Sequence, residues 1–145
     1  MSVELRPGLG PAEFPRLLVV WRSAVEATHD FLTPEDVEYY AARIPGYLPG
    51  VELTVAVVDG QAVGFSGTGD GELHMLFVHN DFRGHGVGTA LLRDALARYP
   101  ALTLDVNEQN PKAAGFYTRQ GFVVAGRSET DSEGRPFPLL HLKRG

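Results

Sequence analysis

Two closely spaced Asp-Gly pairs constrain the fold of this chain more than any other feature. They are Asp59-Gly60 and Asp70-Gly71, and they separate three apolar, strand-like runs at residues 53–58, 61–67 and 72–78. Asp-Gly is favoured in two-residue hairpin turns because both central residues of such a turn need a positive φ. The pattern therefore predicts an antiparallel meander of three strands.

Helix and strand patterns alternate on both sides of this meander. Before it, apolar residues from 14 to 25 recur at spacings of three and four, which predicts an amphipathic helix beginning near Ala12. Thr33-Pro34 followed by two acidic residues indicates a helix start, and this second helix is expected to reach about Ile44. Elsewhere the same signals predict a third helix that contains residues 91–96 and ends before Pro100, and a fourth that Asn110-Pro111 opens and Gly121 ends. They also predict strands at residues 3–6, 102–106, 122–129 and 137–142.

The length and composition favour one mixed α and β domain over residues 1–145. The chain has 43% hydrophobic residues, with no internal repeat or linker visible. No apolar stretch approaches the roughly 20 residues of a membrane-spanning helix and no secretory signal is visible, so a cytoplasmic location without membrane contact is expected. A net charge of -5 argues against nucleic acid as a partner. Because the chain has no cysteine, any catalysis must use other groups.

A glycine-rich turn, Arg83-Gly84-His85-Gly86-Val87-Gly88-Thr89, follows the third strand of the meander and precedes a helix. Where a strand enters a helix through such a turn, unpaired backbone N–H groups and the positive end of the helix dipole face outward together. Glycine also lets an anion approach the backbone closely. The turn is therefore expected to bind a phosphate group, with simple chain reversal as the alternative.

The residues of the turn distinguish three kinds of phosphate ligand. The turn lacks the Gly-Lys-Ser or Gly-Lys-Thr ending of a P-loop, which argues against ATP or GTP hydrolysis. Its glycines at 84, 86 and 88 do not have the spacing of a dinucleotide-binding fold, and the preceding strand closes a meander instead of opening a βαβ unit. The pyrophosphate of coenzyme A remains.

These residues resemble the GNAT superfamily of N-acetyltransferases. The central motif of that family is Arg or Gln, two residues, Gly, one residue, then Gly or Ala, and Arg83, Gly86 and Gly88 match it. Leu76-Phe77-Val78 matches the Leu-x-Val strand of the family, while Asn80 stands where a proline is common. The resemblance implies acetyl-CoA as acyl donor, with its pyrophosphate on the turn and its pantetheine arm on the strand. The cofactor-binding residues that it implies here are Phe77, Val78, Arg83, Gly84, His85, Gly86, Val87, Gly88 and Thr89.

A second motif of the same family lies downstream. It consists of Asn110, then Ala113-Ala114-Gly115-Phe116-Tyr117, then Gly121-Phe122. The resemblance implies that Asn110 helps to bind the cofactor and that the hydroxyl of Tyr117 is directed at its sulfur. Acyl transfer from a thioester to an amine expels a thiolate, which Tyr117 would protonate as general acid. A tyrosine packed in the core is the alternative for this position.

The order of elements resembles the same family over essentially the whole chain. The implied fold class is α+β (mixed α/β), the GNAT acyl-CoA N-acyltransferase fold, with a central mixed, mostly antiparallel, splayed sheet flanked by helices. The sheet would open between the strands at 73–78 and 102–106, where the thioester would lie. Within the family, a bacterial YjaB-type subgroup is similar at residues 27–32, 106–110, 126–129 and 136–139. For that subgroup, lysine in proteins is among the suggested acceptors.

An acceptor amine must lose a proton before it attacks, so a base or a water relay is expected near the thioester. Strand alternation predicts Glu72, His74, Leu76 and Val78 on one side, with residues 73, 75 and 77 on the other. Glu72 aligns with the glutamate base of histone-acetylating family members. Glu72 or His74 is therefore the candidate catalytic base, although both could simply be polar residues at a strand start. The expected substrate-binding residues are His29, Asp30, Phe31 and Asn107.

The other histidines add little to the expected chemistry. His79 and His85 lie beside the phosphate turn, and His141 either approaches the site or lies at the surface. No metal is expected, because the histidines lack metal-ligand spacing. No Ser-His-Asp arrangement can be read from the sequence, so direct attack of the amine on acetyl-CoA is the simpler mechanism.

Several alternatives stay open at this level. The acceptor could be a small molecule, a peptide or a protein lysine, and the acyl group could come from an acyl-CoA other than acetyl-CoA. A non-catalytic acyl-CoA-binding sensor or partner protein is the alternative from another class. A homodimer could form through pairing of the terminal strand.

Overall fold

The computed structural model describes residues 2–145, which form one seven-stranded sheet with helices on both faces. Five of the six strand pairings are antiparallel. The strands are β1 (Glu4–Pro7), β2 (Glu52–Val58), β3 (Gln61–Gly69), β4 (Glu72–Val78), β5 (Thr103–Asn107), β6 (Phe122–Ser128) and β7 (Leu139–Arg144). The helices are α1 (Phe14–Thr28), α2 (Pro34–Ala41), α3 (Ile44–Tyr47), α4 (Val87–Arg98) and α5 (Pro111–Arg119).

Both predicted Asp-Gly turns are present. Asp59 and Asp70 have φ values of 50° and 53°, and the glycines that follow them have φ values of 78° and 76°. These are the positive values that a two-residue hairpin turn needs. Strands β2, β3 and β4 pair antiparallel through the two turns, which confirms the predicted meander.

The second helix is shorter than expected. Helix α2 ends at Ala41, and the separate one-turn helix α3 begins at Ile44. Pro45 has no N–H to donate to the carbonyl of Ala41, so α2 cannot continue through it. The predicted start of α2 is confirmed, because the Thr33 hydroxyl accepts from the N–H of Asp36 and the Asp36 carboxylate accepts from the N–H of Thr33.

The terminal strand β7 lies inside the sheet, whose order is β1-β2-β3-β4-β5-β7-β6. Both of its edges are paired, one with β5 and the other with β6. The expectation of a dimer through this strand is therefore wrong, since an edge that is already hydrogen-bonded cannot pair with a second copy. Strand β7 also begins at Leu139 instead of Phe137, because Pro138 has no N–H for the ladder.

Two apolar layers cover the two faces of the sheet. On one face, Leu17 and Trp21 of α1 pack in a cluster with Phe65 of β3. On the other face, Leu92 of α4 packs in a cluster with Leu104 of β5. The buried residues of α1 fall on the face predicted by their spacing. Both layers contain residues of β4, whereas of these two only the layer under α4 contains residues of β5.

Strands β4 and β5 separate after a short parallel contact. They pair only at Glu72 with Thr103 and at Leu73 with Leu104. Beyond that point, residues 74–78 of β4 have no strand partner on the β5 side. The splayed sheet implied by the family resemblance is therefore confirmed, and the opening lies between these two strands.

A β-bulge in β4 leaves His74 without a partner in β3. Its neighbours Leu73 and Met75 pair with two consecutive residues of β3. The side chains of Leu73 and Met75 therefore point to opposite faces of the sheet. Leu73 belongs to the cluster under α4 and α5, whereas Met75 belongs to the cluster under α1.

The bulge makes the predicted strand alternation wrong. Leu76 and Val78 pack toward α4, but Glu72 lies on the opposite side from Leu73 and so faces α1. Glu72 and His74 therefore do not share a face with Leu76 and Val78. The cause is the extra residue at the bulge, which shifts the alternation by one.

Candidate active site

Two adjoining cavities meet where β4 and β5 separate. The turn cavity, of about 620 Å³, is lined by the glycine-rich turn, the first turn of α4, both strands and α5. The joint cavity, of about 440 Å³, is lined by α1, the joint between α1 and α2, both strands and the β6–β7 loop. The residues that line both cavities are His29, Leu73, His74, Phe77, Asp105 and Asn107.

The glycine-rich turn presents free backbone donors. Gly86 has a φ of 81° and is the N-cap residue of α4, where it offers no capping side chain. Within residues 2–145, the N–H groups of Val87, Gly88 and Thr89 have no acceptor. Three parallel donors at the positive end of a 12-residue helix form a site suited to an anion.

The two cavities carry opposite charges. The basic residues Arg83, Lys112 and Arg119 line the turn cavity, together with one carboxylate, that of Asp105. The carboxylates lining the joint cavity belong to Glu72, Asp105 and Asp131, and no Lys or Arg of residues 2–145 lines it. The first cavity therefore suits an anionic ligand and the second a cationic one.

Tyr117 stands on α5 at the wall of the turn cavity. Tyr117 is 8% exposed, and its ring packs against Phe116 and Phe122. Its hydroxyl makes no hydrogen bond within residues 2–145. Burial raises the pKa of this phenol well above its ordinary value, so it stays protonated through the physiological range. The group is an available proton donor.

All but one of the predicted cofactor-binding residues line the turn cavity. The exception is His85, which is exposed and outside the lining. Asn110 is 6% exposed, and its side-chain oxygen accepts from the N–H of Ala113, so it starts α5 as predicted. The predicted residues in the lining are Phe77, Val78, Arg83, Gly84, Gly86, Val87, Gly88, Thr89, Asn110 and Tyr117.

Of the predicted substrate-binding residues, His29, Phe31 and Asn107 line the joint cavity, whereas Asp30 lines neither cavity. The rings of His29 and Phe31 are 5.3 Å apart between centroids. Burial lowers the pKa of His29, against smaller opposing effects of the Asn107 side chain and the Asp30 charge. A neutral imidazole therefore lies where the two cavities meet.

Glu72 and His74, the predicted base candidates, stand at the solvent side of the joint cavity. Their side chains are 54% and 40% exposed, and the Glu72 carboxylate lies 3.8 Å from Nδ1 of His74. Nε2 of His74 is 3.1 Å from the carbonyl oxygen of Gly69. Because a carbonyl can only accept, this Nε2 carries the hydrogen.

Sequence reasoning missed Asp105, which lines both cavities. Nδ1 of His141 lies 2.5 Å from its carboxylate, and Nε2 of His141 lies 2.6 Å from the hydroxyl of Ser128. A Ser-His-Asp chain thus exists, but Ser128 lines neither cavity and the chain serves to hold Asp105 in place. The three residues come from β6, β7 and β5, so no spacing in the sequence could have indicated their contact.

The part of the chain that the structure describes contains neither a metal-binding cluster nor a membrane-spanning helix. Among residues 2–145, no group of three His, Asp or Glu side chains is placed to hold a metal ion. In the same range, no helix combines the length and the apolar character needed to cross a membrane.

Known proteins provide independent comparisons. The chain matches the family described as Acetyltransferase (GNAT) domain over residues 21–138. It is 44% identical over 131 residues to the Peptidyl-lysine N-acetyltransferase YjaB of Salmonella typhimurium, an alignment that covers 90% of each chain. The solution structure of apo-form YjaB from Escherichia coli has a TM-score of 0.91 and 42% identity, covering 99% of this chain and 97% of that one.

A structure of the PaiA N-acetyltransferase from Thermoplasma acidophilum in complex with coenzyme A shares the fold, with a TM-score of 0.79. Its sequence is 20% identical, and the match covers 100% of both chains. The family match spans the glycine-rich turn, Asn110 and Tyr117, so it contains both motifs noted in the sequence. The resemblance to YjaB-type proteins is confirmed as well. With the family matched over most of its length, this chain belongs to the GNAT family of acetyltransferases.

Proposed function

We propose that this acetyltransferase moves the acetyl group of acetyl-CoA to the Nε amine of a lysine in a peptide or protein. The observation that carries the proposal is the meeting of two oppositely charged cavities where β4 and β5 separate. Peptidyl-lysine is the acceptor named for the Salmonella typhimurium relative. The basic turn cavity suits a donor that carries phosphates, and the acidic joint cavity suits an acceptor that carries an ammonium group.

The turn cavity suits the phosphates of acetyl-CoA. The free N–H groups of Val87, Gly88 and Thr89 can donate to the pyrophosphate, and Arg83 adds a positive charge beside the turn. Lys112 and Arg119 add two further charges on the α5 side of the same cavity. Coenzyme A in the Thermoplasma acidophilum structure of the same fold supports this assignment.

The free edge of β4 suits the pantetheine arm. Because β5 has moved away, Phe77 and Val78 have no strand partner on that side and both line the turn cavity. Pantetheine contains two amides that can pair with such an edge as an added strand would. The arm would then lead the thioester toward the residues that line both cavities.

Tyr117 supplies the acid in this proposal. Attack of the amine forms the C–N bond and breaks the C–S bond, and the departing thiolate needs a proton. The Tyr117 phenol is protonated and its hydroxyl has no other partner within residues 2–145. No nucleophile of the enzyme is required, so the acetyl group passes directly from sulfur to nitrogen.

The joint cavity suits a cationic chain with an aliphatic stem. Its wall combines carboxylates with the rings of Trp21, Phe31, Tyr40 and Phe137. Aromatic faces attract a cation and also pack against methylene groups. The groups that could take the proton of an ammonium here are His29, Glu72, His74 and Asp105.

We expect acceptors flanked by basic residues to react faster than those flanked by acidic ones. Two peptides that carry one lysine, between arginines in one and between glutamates in the other, should differ in kcat/KM by about tenfold at low salt, or about 1.4 kcal/mol. The difference should shrink as salt screens the carboxylates of the cavity. Mass spectrometry of the products measures both rates and locates the acetyl group.

The matched control replaces the lysine of each peptide by arginine, which keeps the charge but is not acetylated. Product on the Nε of lysine in the basic peptide supports the proposal. Thiol release with small amines and none with either lysine peptide would exclude peptidyl-lysine as acceptor. Faster reaction of the acidic peptide would contradict the assignment of the joint cavity.

A further inference from the structure

His29 occupies the point where both cavities meet. It follows the last residue of α1, and its backbone N–H is hydrogen-bonded to the carbonyl of Val25, which fixes the position of its Cα. Its ring touches Phe31 in the joint and lines both the turn cavity and the joint cavity. A group in this position can reach the acceptor nitrogen at the point of attack.

The neighbouring Thr28 determines which nitrogen of His29 carries the hydrogen. The Thr28 hydroxyl donates its single hydrogen to the carbonyl oxygen of Ala24, at 2.7 Å. The same oxygen lies 2.8 Å from Nδ1 of His29. Since the hydroxyl hydrogen is already used, Nδ1 must be the donor and the Thr28 oxygen the acceptor. Neutral His29 therefore has its lone pair on Nε2.

The charges around His29 do not cancel the effect of its burial. Asp30 adjoins it in sequence, Glu72 and His74 face it from β4, and Asp105 faces it from β5. Burial nevertheless lowers the pKa of His29 below the ordinary value of about 6.5, so the imidazole is neutral at physiological pH. A neutral histidine with its lone pair on Nε2 has the form that a general base needs, and the side chain of Asn107 is a further hydrogen-bonding group beside the ring.

We propose that Nε2 of His29 is the general base of the reaction and that Thr28 is the positioning residue that fixes its tautomer. The inference rests on the proposed function and names the base within it. Nε2 removes one proton from the acceptor ammonium, and the neutral amine then attacks the thioester carbonyl. Tyr117 gives its proton to the departing thiolate. The attacking nitrogen then loses a second proton, which restores the Tyr117 phenol. The imidazolium returns its proton to solvent, so each acetylation releases one amide, one thiol and one proton.

The other candidates are less suited to this step. The side chains of Glu72 and His74 are about half exposed at the solvent side of the joint cavity. The Asp105 carboxylate is engaged by His141. The carboxylates of Glu72 and Asp105 can attract the cationic acceptor, which leaves the transfer of the proton to His29.

The pH dependence of kcat/KM tests the proposal, with one lysine peptide used for every variant. Wild-type kcat/KM should rise with pH through an ionisation below the ordinary histidine value, because the base must lose its proton first. His29→Gln should lower kcat/KM about 100-fold at neutral pH and remove this ionisation. Acetyl-CoA affinity should stay unchanged, which separates the loss of a base from the loss of the site.

Thr28 variants test whether this residue acts through the tautomer of His29, because a purely structural role would not change the ionisation seen in kcat/KM. Thr28→Val keeps the shape but removes the acceptor for Nδ1–H, so it should lower kcat/KM by a smaller factor and shift the ionisation. Thr28→Ser keeps the hydroxyl and should retain the pH profile of the wild type. Thermal unfolding confirms that each variant is folded. Because the acceptor amine also loses its proton as pH rises, only differences between variants are diagnostic.

Superimposable profiles for the wild type and His29→Gln would overturn the proposal. So would loss of the ionisation in Glu72→Gln or His74→Asn with its retention in His29→Gln. Failure of the wild type to acetylate the peptide would contradict the proposed acceptor and this inference with it. An active wild type whose profile matches that of His29→Gln contradicts only the assignment of the base.

Discussion

Gly88→Leu is expected to abolish acetyl-CoA binding while leaving the protein at least as stable as the wild type. Gly88 lies in the first turn of α4, and a Cβ built on it would be 3.8 Å from the side chains of Phe116 and Val78, an ordinary contact. A good helix former in place of glycine stabilises a helix by up to about 1 kcal/mol. The new side chain would extend into the turn cavity, where the pyrophosphate must approach the backbone.

Isothermal titration calorimetry with acetyl-CoA and thermal unfolding together measure this result. We expect the Kd to rise at least 100-fold, or about 2.7 kcal/mol. Gly46→Leu is the matched control. Gly46 lies in α3 and lines neither cavity, and a Cβ built on it would meet no atom within 4 Å. A substitution of Gly86 would be less informative, because its φ of 81° strains any residue with a side chain. Wild-type affinity in folded Gly88→Leu would show that the pyrophosphate binds elsewhere.

Tyr117→Phe is expected to lower turnover by about 100-fold or more, the scale of general acid catalysis. The substitution removes only a hydroxyl that has no partner within residues 2–145, so neither the packing of α5 nor the affinity for acetyl-CoA should change. The loss should appear in kcat and not in the Kd of the donor, because the phenol acts only on the departing thiolate.

Single-turnover measurements are needed, since they report the chemical step apart from product release. Tyr99→Phe is the control, because it removes the hydroxyl that donates to Glu52 at a position outside both cavities. Equal single-turnover rates for Tyr117→Phe and the wild type would exclude Tyr117 as the acid. A large loss in Tyr99→Phe would mean that the effect is not specific to the site.

The sequence carried local signals for most of the fold. The Asp-Gly turns and the Thr33 cap act within a few residues, and each could be recognised from its neighbours alone. The glycine-rich turn could be recognised for the same reason, because the strand, the turn and the helix follow one another along the chain. The splay between β4 and β5 followed only from the family resemblance.

The features that could not be predicted depend on contacts between distant segments. The bulge at His74 is a property of the register between β3 and β4, and strand alternation by itself carried no sign of it. The support of Asp105 by His141 requires β7 to lie between β5 and β6. The tautomer of His29 depends on where the hydrogen of Thr28 goes, which only atomic positions show.

The stoichiometry of acetyl transfer decides whether this enzyme moves an acetyl group directly from acetyl-CoA to lysine. The wild type is incubated with isotope-labelled acetyl-CoA and the basic lysine peptide, and both labelled acetyl-lysine and free coenzyme A are quantified. We expect one labelled acetyl group on Nε for each thiol released, and neither product with Gly88→Leu. Binding of acetyl-CoA without thiol release, or thiol release without labelled peptide, would contradict the account.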